Sequence, residues 1–102
     1  MTDLFQGDII KINGFKDHFL IISNNAFIRA ANVFHVCPFL KDVASGPLHI
    51  QSVGINGTSG TAICEQIKLI DPAARGCHRV DRLTYASVMD ISDALQGIFE
   101  YD

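Results

Sequence analysis

Three separate segments of the sequence carry side chains that could transfer protons or hold an anion. Lys16 and His18 lie in the segment FKDH, Lys41 follows the segment CPFL, and Glu65 lies in the segment ICEQIKLI. A carboxylate can act as a general base, and an imidazole, whose ordinary pKa is about 6.5, can act as a general acid. A lysine can stabilise negative charge that develops on a substrate. Together they could perform acid–base catalysis on an anionic substrate, provided that the fold brings the segments together.

A second group of basic residues follows in the next part of the chain. His78 lies beside Arg75 and Arg79, and with Lys68 these residues could form a small basic face for phosphates. A solvated turn is the simpler interpretation of the same residues.

The three cysteines do not form a recognisable metal or redox motif. Cys37, Cys64 and Cys77 include no CxxC pair, and no histidine lies at zinc-finger spacing from them. Cys37 and Cys64 lie inside apolar runs, so we expect them to be small buried side chains. The sequence therefore predicts neither a metal nor a cofactor.

Composition indicates one soluble domain spanning residues 1–102. Apolar residues make up 48% of the 102-residue chain, charged residues 19%, and the net charge is −3. A globally basic nucleic-acid binder would look different, although a local basic patch can still serve a small site. Met1 to Gln6 is too short for a signal peptide and carries Asp3, and no apolar run approaches the roughly 18–20 residues of a membrane span. We expect a cytoplasmic protein.

Most of the chain shows strand patterns separated by turn signals. The segments at 8–12, 18–23, 33–39, 48–53 and 61–70 are predicted strands, 77–83 is a strand or a connection, and 24–32 is a short helical turn. The segment 61–70 is the longest predicted strand and holds Glu65 in its middle, where it would be exposed or paired, for example with Arg75. Asp71 before Pro72 predicts a turn fixed by the aspartate side chain, closed by Gly76 with a positive φ.

The period of the apolar residues changes after Thr84, which is a plausible N-cap. Val88, Ile91, Leu95 and Ile98 fall at helical spacing. Short strands followed by one terminal amphipathic helix favour a small, twisted, mostly antiparallel barrel.

The order of these elements resembles that of the MazF/PemK/Kid toxins of bacterial type II toxin–antitoxin modules, in the CcdB-like superfamily. The resemblance covers nearly the whole chain. The segment GTAICEQIKLIDPAARG is similar to the family's most specific motif and supplies Glu65, Gln66, Asp71, Arg75 and Gly76. Other similar segments are GDII, FLIIS, NNAFIRAANVFHVCPF and RVDRLTYASVMDISDALQGIF.

The resemblance implies a mainly β fold: an SH3-like small barrel of five to seven strands with a C-terminal amphipathic helix, usually as a homodimer. It implies metal-independent endoribonuclease activity that cleaves single-stranded mRNA at short sequences and inhibits growth. It also implies a cognate antitoxin whose C-terminal segment covers the active groove.

Cleavage of RNA through its 2′-hydroxyl requires a base, an acid and a cation. In this chemistry Glu65 would be the base, His18 the acid, and Lys16 or Lys41 the cation. The residues expected to contact RNA are Lys41, Lys68, Arg75 and Arg79.

The chain departs from the family pattern at the expected active site. Asp17 and His18 stand where members usually carry Arg-Pro, and Leu40 and Lys41 stand where members carry Thr or Ser. Ile63 stands where some members carry Arg. The alternative function is therefore a catalytically inactive binding module for an antitoxin-like peptide, a nucleic acid or another protein. A gyrase poison of the CcdB kind ranks last, because those toxins have a Trp-containing C-terminal tip and this chain has no Trp.

Overall fold

The computed structural model describes residues 3–100, in which seven strands form one sheet and two helices cover it. The elements are β1 (Asp8–Ile12), β2 (His18–Ile21), α1 (Asn25–Ala31), β3 (Phe34–Leu40), β4 (His49–Val53), β5 (Ser59–Ile63), β6 (Lys68–Ile70), β7 (Cys77–Arg82) and α2 (Tyr85–Phe99). All strand pairs are antiparallel, in the order β4-β5-β3-β2-β1-β7, and β6 pairs separately with β3. This architecture confirms the predicted mainly β fold with a C-terminal helix.

The central strands bury side chains on both faces, as the continuous apolar run of β2 predicts. Successive side chains of a strand point to opposite faces, so β1, β2 and β3 each contribute to two cores. The first core, beside α1, contains Leu4, Ile10, Ile12, Phe19, Ile21, Ile28, Phe34, Val36 and Ile70. The second core, beside α2, contains Ile9, Leu20, Cys37, Phe39, Ala62, Cys64, Leu83, Ile91 and Leu95. Each large buried side chain contributes about 1.5–3 kcal/mol to stability.

Helix α2 begins and packs as its sequence predicts. The hydroxyl of Thr84 accepts a hydrogen bond from the backbone N–H of Ser87 at 3.3 Å, which satisfies one of the free donors of the first turn. The four residues predicted for the buried face all pack in or against the second core: Val88, Ile91, Leu95 and Ile98. The helix therefore covers one face of the sheet.

The predicted long strand 61–70 is wrong, because the chain turns between β5 and β6. β5 pairs with Phe39 and Leu40 at the end of β3, whereas β6 pairs with the beginning of β3 at Phe34–Val36. The two pairings lie along the same edge of β3 but differ in register by three residues. The extra residues form a turn, which the N–H of Gln66 closes on the carbonyl of Ile63 at 3.1 Å. Glu65 consequently lies in a turn and not in the middle of a strand.

The turn between β6 and β7 confirms one prediction and corrects another. Asp71 Oδ1 accepts a hydrogen bond from the N–H of Ala73 at 2.9 Å, as the Asp-Pro pair predicts. Gly76 is not among the glycines with positive φ. A Cβ at Gly76 would instead overlap the side-chain amide of Asn13. The backbone N–H of Asn13 donates to the Gly76 carbonyl at 2.9 Å. Glycine is required at position 76 because the Asn13 side chain approaches its Cα closely.

A buried carboxylate fixes the turn between β4 and β5 to β7. Asp81 is 3% exposed, and its oxygens accept backbone N–H groups of Asn56, Thr58 and Arg82 at 2.8–3.2 Å. Burial acts to raise the pKa of Asp81, but these donors favour the charged form and hold the pKa below its usual value. A Cβ on Gly54 would collide with the same carboxylate, so the turn approaches it closely.

We expect Asp81→Asn to destabilise the protein by about 1–3 kcal/mol at neutral pH. An amide offers only one acceptor oxygen and would turn its own NH2 group against a backbone donor. The lowered pKa means that the wild-type stabilisation is present above the unfolded-state value of about 3.9 and is lost as the pH falls through the folded-state pKa. Urea unfolding between pH 3 and pH 7 measures both effects.

The matched control for this experiment is Asp93→Asn, which removes an exposed carboxylate on α2. We expect it to leave the free energy of unfolding within about 0.5 kcal/mol of wild type. Equal losses in the two variants would contradict the assigned role of Asp81.

Candidate functional site

The end of the sheet where β2 begins and β3 ends forms an open cavity of about 390 Å³. Its lining comes from the β1–β2 turn, the first residue of β2 and the end of β3. The lining residues are Lys16, Asp17, His18, Phe39, Leu40 and Lys41. The structure thus brings together Lys16, His18 and Lys41, which the sequence singles out in two separate segments.

Strand register explains why the cavity lies beyond the second core. Lys11, His18 and Phe39 are directly opposite one another on β1, β2 and β3, and cross-strand partners share a face of the sheet. Phe39 is buried in the second core, so His18 and Lys11 lie on the α2-covered face of the sheet, at its end. Partly buried groups at such an edge can meet both solvent and substrate.

The cavity is basic although the whole chain is acidic. Lys16, Lys41 and the neighbouring Lys11 are three of the four lysines of the sequence. Burial lowers the pKa of His18, the positive charges of Lys11 and Lys41 lower it further, and Asp17 partly opposes them. Because the ordinary value is already 6.5, the imidazole is mainly neutral at pH 7.

A second cavity of about 350 Å³ continues from the first across Leu40 and Lys41, which line both. Its lining is mostly polar or small. The remaining lining residues are Asp42, Gln51, Ser52, Val53, Ser59, Gly60 and Thr61. An extended chain that crosses Lys41 would therefore contact both cavities.

Glu65 does not line either cavity and bonds another histidine. His49 Nε2 lies 3.0 and 3.1 Å from the two carboxylate oxygens, and the imidazole must donate because the carboxylate can only accept. This hydrogen bond lowers the pKa of Glu65, and a backbone bond adds to the effect. The sequence allows Glu65 to be exposed or paired, for example with Arg75. Its side chain is half-exposed and its partner is His49, whereas the Arg75 guanidinium lies 4.7 Å above the ring of Phe15.

The sheet also separates Glu65 from His18. His18 shares a row with Phe39, Ala62 and Ile50, and His49 directly precedes Ile50 on β4. His49 therefore points to the face opposite to His18, and it holds Glu65 there. The β4–β5 register that brings His49 to Glu65 cannot be seen in the sequence.

The other predicted RNA-contacting residues have different surroundings. Arg79 donates to the buried carboxylate of Asp8 at 3.2 Å, so its charge is already partnered. Lys68 is exposed on β6, opposite Val36 of β3. Their contact with RNA stays a prediction, as does that of Arg75.

Within residues 3–100, no three metal-ligating side chains cluster in a way that could hold an ion. The three cysteines are free thiols, and burial raises the pKa of each. The described helices include none that is long and apolar enough to cross a membrane.

Comparison with solved structures identifies the same fold in several proteins. A MazE-MazF crystal structure from Deinococcus radiodurans (Form-II) has a TM-score of 0.82 at 14% identity, and each chain is covered completely. An endoribonuclease from Mycobacterial species has a TM-score of 0.80 at 19% identity, with 97% of this chain and 93% of that chain covered.

An endoribonuclease in complex with its cognate antitoxin from Mycobacterial species has a TM-score of 0.79 at 18% identity, with 97% of this chain and 99% of that chain covered. No match was found among curated protein sequences. The family model of the PemK-like, MazF-like toxins of type II toxin-antitoxin systems matches residues 6–99. The chain therefore belongs to the PemK-like, MazF-like toxin family.

Proposed function

We propose that this protein is a metal-independent endoribonuclease that cleaves single-stranded RNA in the cavity around His18. The observation that carries the proposal is the concentration of positive charge there, on a chain whose net charge is −3. Lys16 and Lys41 line the cavity, and Lys11 adds its charge beside His18. Phosphates bind such a local patch by Coulomb attraction, and the same charge stabilises the transition state of phosphoryl transfer.

The shape of the surface favours an extended, single-stranded substrate. Lys41 stands between the two cavities, so a phosphate bound there leaves its neighbouring nucleotides over one cavity each. The polar side chains of the second cavity, among them Gln51 and Ser59, can bond the edges of an unpaired base. A duplex hides those edges, and it would not enter two shallow cavities side by side.

Family membership supports the accompanying proposals about partners. We propose that the protein acts in the cytoplasm as a homodimer and that a cognate antitoxin inhibits it through its C-terminal segment. One of the similar solved structures is an endoribonuclease with its cognate antitoxin, and another is a MazE-MazF structure. A neighbouring gene that encodes a small protein with an acidic C-terminal tail would be the expected inhibitor.

One observation favours the alternative of an inactive binding module. The family's usual arginine and hydroxyl residue are replaced by Asp17 and Leu40 in the cavity, and the carboxylate of Glu65 is bonded elsewhere. A module of this kind would bind its partner through the same basic cavity without cleaving RNA.

We expect the purified protein to cleave varied single-stranded RNAs with EDTA present, and His18→Gln to lower the rate by about 10²–10⁴-fold. Glutamine is similar in size but cannot exchange a proton at neutral pH. Gel analysis of end-labelled RNA measures the rate, and Asp93→Asn, purified in the same way, is the control that should keep the wild-type rate. Absence of cleavage by the wild-type protein, together with a stable complex with the neighbouring gene product, would establish the inactive module instead.

We expect Glu65→Gln to retain the cleavage rate within a few-fold of wild type. The glutamine keeps an acceptor for His49 and the residue lies outside the cavity. The same RNA assay decides between this result and the base role that the sequence indicates. A loss as large as that of His18→Gln would mean that Glu65 reaches the substrate after all.

A further inference from the structure

Lys11 connects two parts of the cavity that the sequence does not relate. Its Nζ donates a hydrogen bond to the backbone carbonyl of Lys16 at 2.6 Å, which ties the β1–β2 turn to β1. It also lies directly opposite His18 in the antiparallel pairing of β1 with β2. One ammonium group therefore holds the turn that lines the cavity and stands beside the imidazole.

Charged and titratable groups from several elements surround His18. On the far side of Lys11, β7 contributes His78 as its cross-strand partner. Asp17 is the one acid among these groups, and it precedes His18 in the chain. The charged and titratable groups near the imidazole come from β1, the end of β3, the β1–β2 turn and β7: Lys11, Lys41, Lys16, Asp17 and His78.

We propose that His18 is the general base that accepts the proton of the attacking 2′-hydroxyl, and that Lys11 is the positioning residue that holds the Lys16 turn against it. This inference rests on the proposed ribonuclease function. It reverses the acid role that the sequence predicts for His18. At pH 7 a neutral imidazole has a free lone pair that can accept a proton, as a general base must. It is not an imidazolium, so it has no acidic proton to give to a leaving group.

The reaction step balances with groups that the cavity and solvent provide. The 2′-oxygen loses its proton to His18 and forms a bond to phosphorus, and the bond from phosphorus to the 5′-oxygen breaks. The departing 5′-oxygen takes a proton from water, and His18 later returns its proton to solvent. The products are a 2′,3′-cyclic phosphate and a free 5′-hydroxyl, while Lys16 and Lys41 stabilise the negative charge on the phosphoryl oxygens.

The test combines NMR titration of His18 with the pH dependence of RNA cleavage. For the wild-type protein, we expect the rate to rise with pH as His18 loses its proton and then to reach a plateau. Lys11→Met removes a positive charge, so the imidazolium is less disfavoured and His18 titrates at a higher pH. The acidic limb of the rate profile should move to higher pH by the same amount.

Matched variants separate charge from structure. Lys11→Arg keeps the charge and should restore a wild-type titration of His18. Arg29→Gln removes an exposed positive charge on α1 and should leave the titration unchanged. Lys41→Met should also raise the pH at which His18 titrates. This variant provides a second measurement if circular dichroism shows that Lys11→Met is unfolded.

The possible outcomes lead to different conclusions. If the wild-type protein does not cleave RNA, the proposed function fails, and the base role fails with it. If RNA is cleaved but the rate falls with pH through the titration of His18, or the acidic limb stays in place in Lys11→Met, the ribonuclease stands and this inference is overturned. Movement of the NMR titration and the acidic limb together supports it.

Discussion

The architecture depends on β3, which pairs with three other strands. β2 pairs with most of the length of β3, β6 pairs with the beginning of β3, and β5 pairs with the end of β3. β5 and β6 follow the same edge of β3 in registers that differ by three residues, and the extra residues form the turn between β5 and β6. That change of register places Glu65 at the surface beside His49, and it leaves Leu40 and Lys41 at the free end of β3.

Electrostatics at this end of the sheet differ from those of the rest of the molecule. The acidic side chains with structural roles are paired internally: Asp8 with Arg79, and Asp81 with three backbone N–H groups. Three of the four lysines, in contrast, gather near His18, where Asp17 is the acid among the cavity-lining residues. Strand register creates this separation, since Lys11 and His18 are neighbours across strands and seven residues apart in the chain.

The sequence was sufficient to predict the features that depend on local patterns. The two-faced burial of β2, the cap at Thr84 and the buried face of α2 follow from periodicity and capping chemistry. The break in the predicted strand 61–70 could not be predicted, because it follows from a change of register along β3 and not from any turn residue near Glu65. The partner of Glu65 was missed for the same reason, and Lys11 was missed because a lysine in a strand has no distinctive pattern.

The contact between the β4–β5 turn and β7 has a consequence for solubility. β4 and β7 lie at the two ends of the strand order, where a sheet exposes unpaired backbone groups. The N–H of Ile55 bonds the carbonyl of Arg82 at 2.9 Å, and Asp81 holds the turn in place. The last residue of β7 is thereby occupied from within the chain. A strand of another molecule cannot extend the sheet at that point, so the fold protects part of its own edge against aggregation.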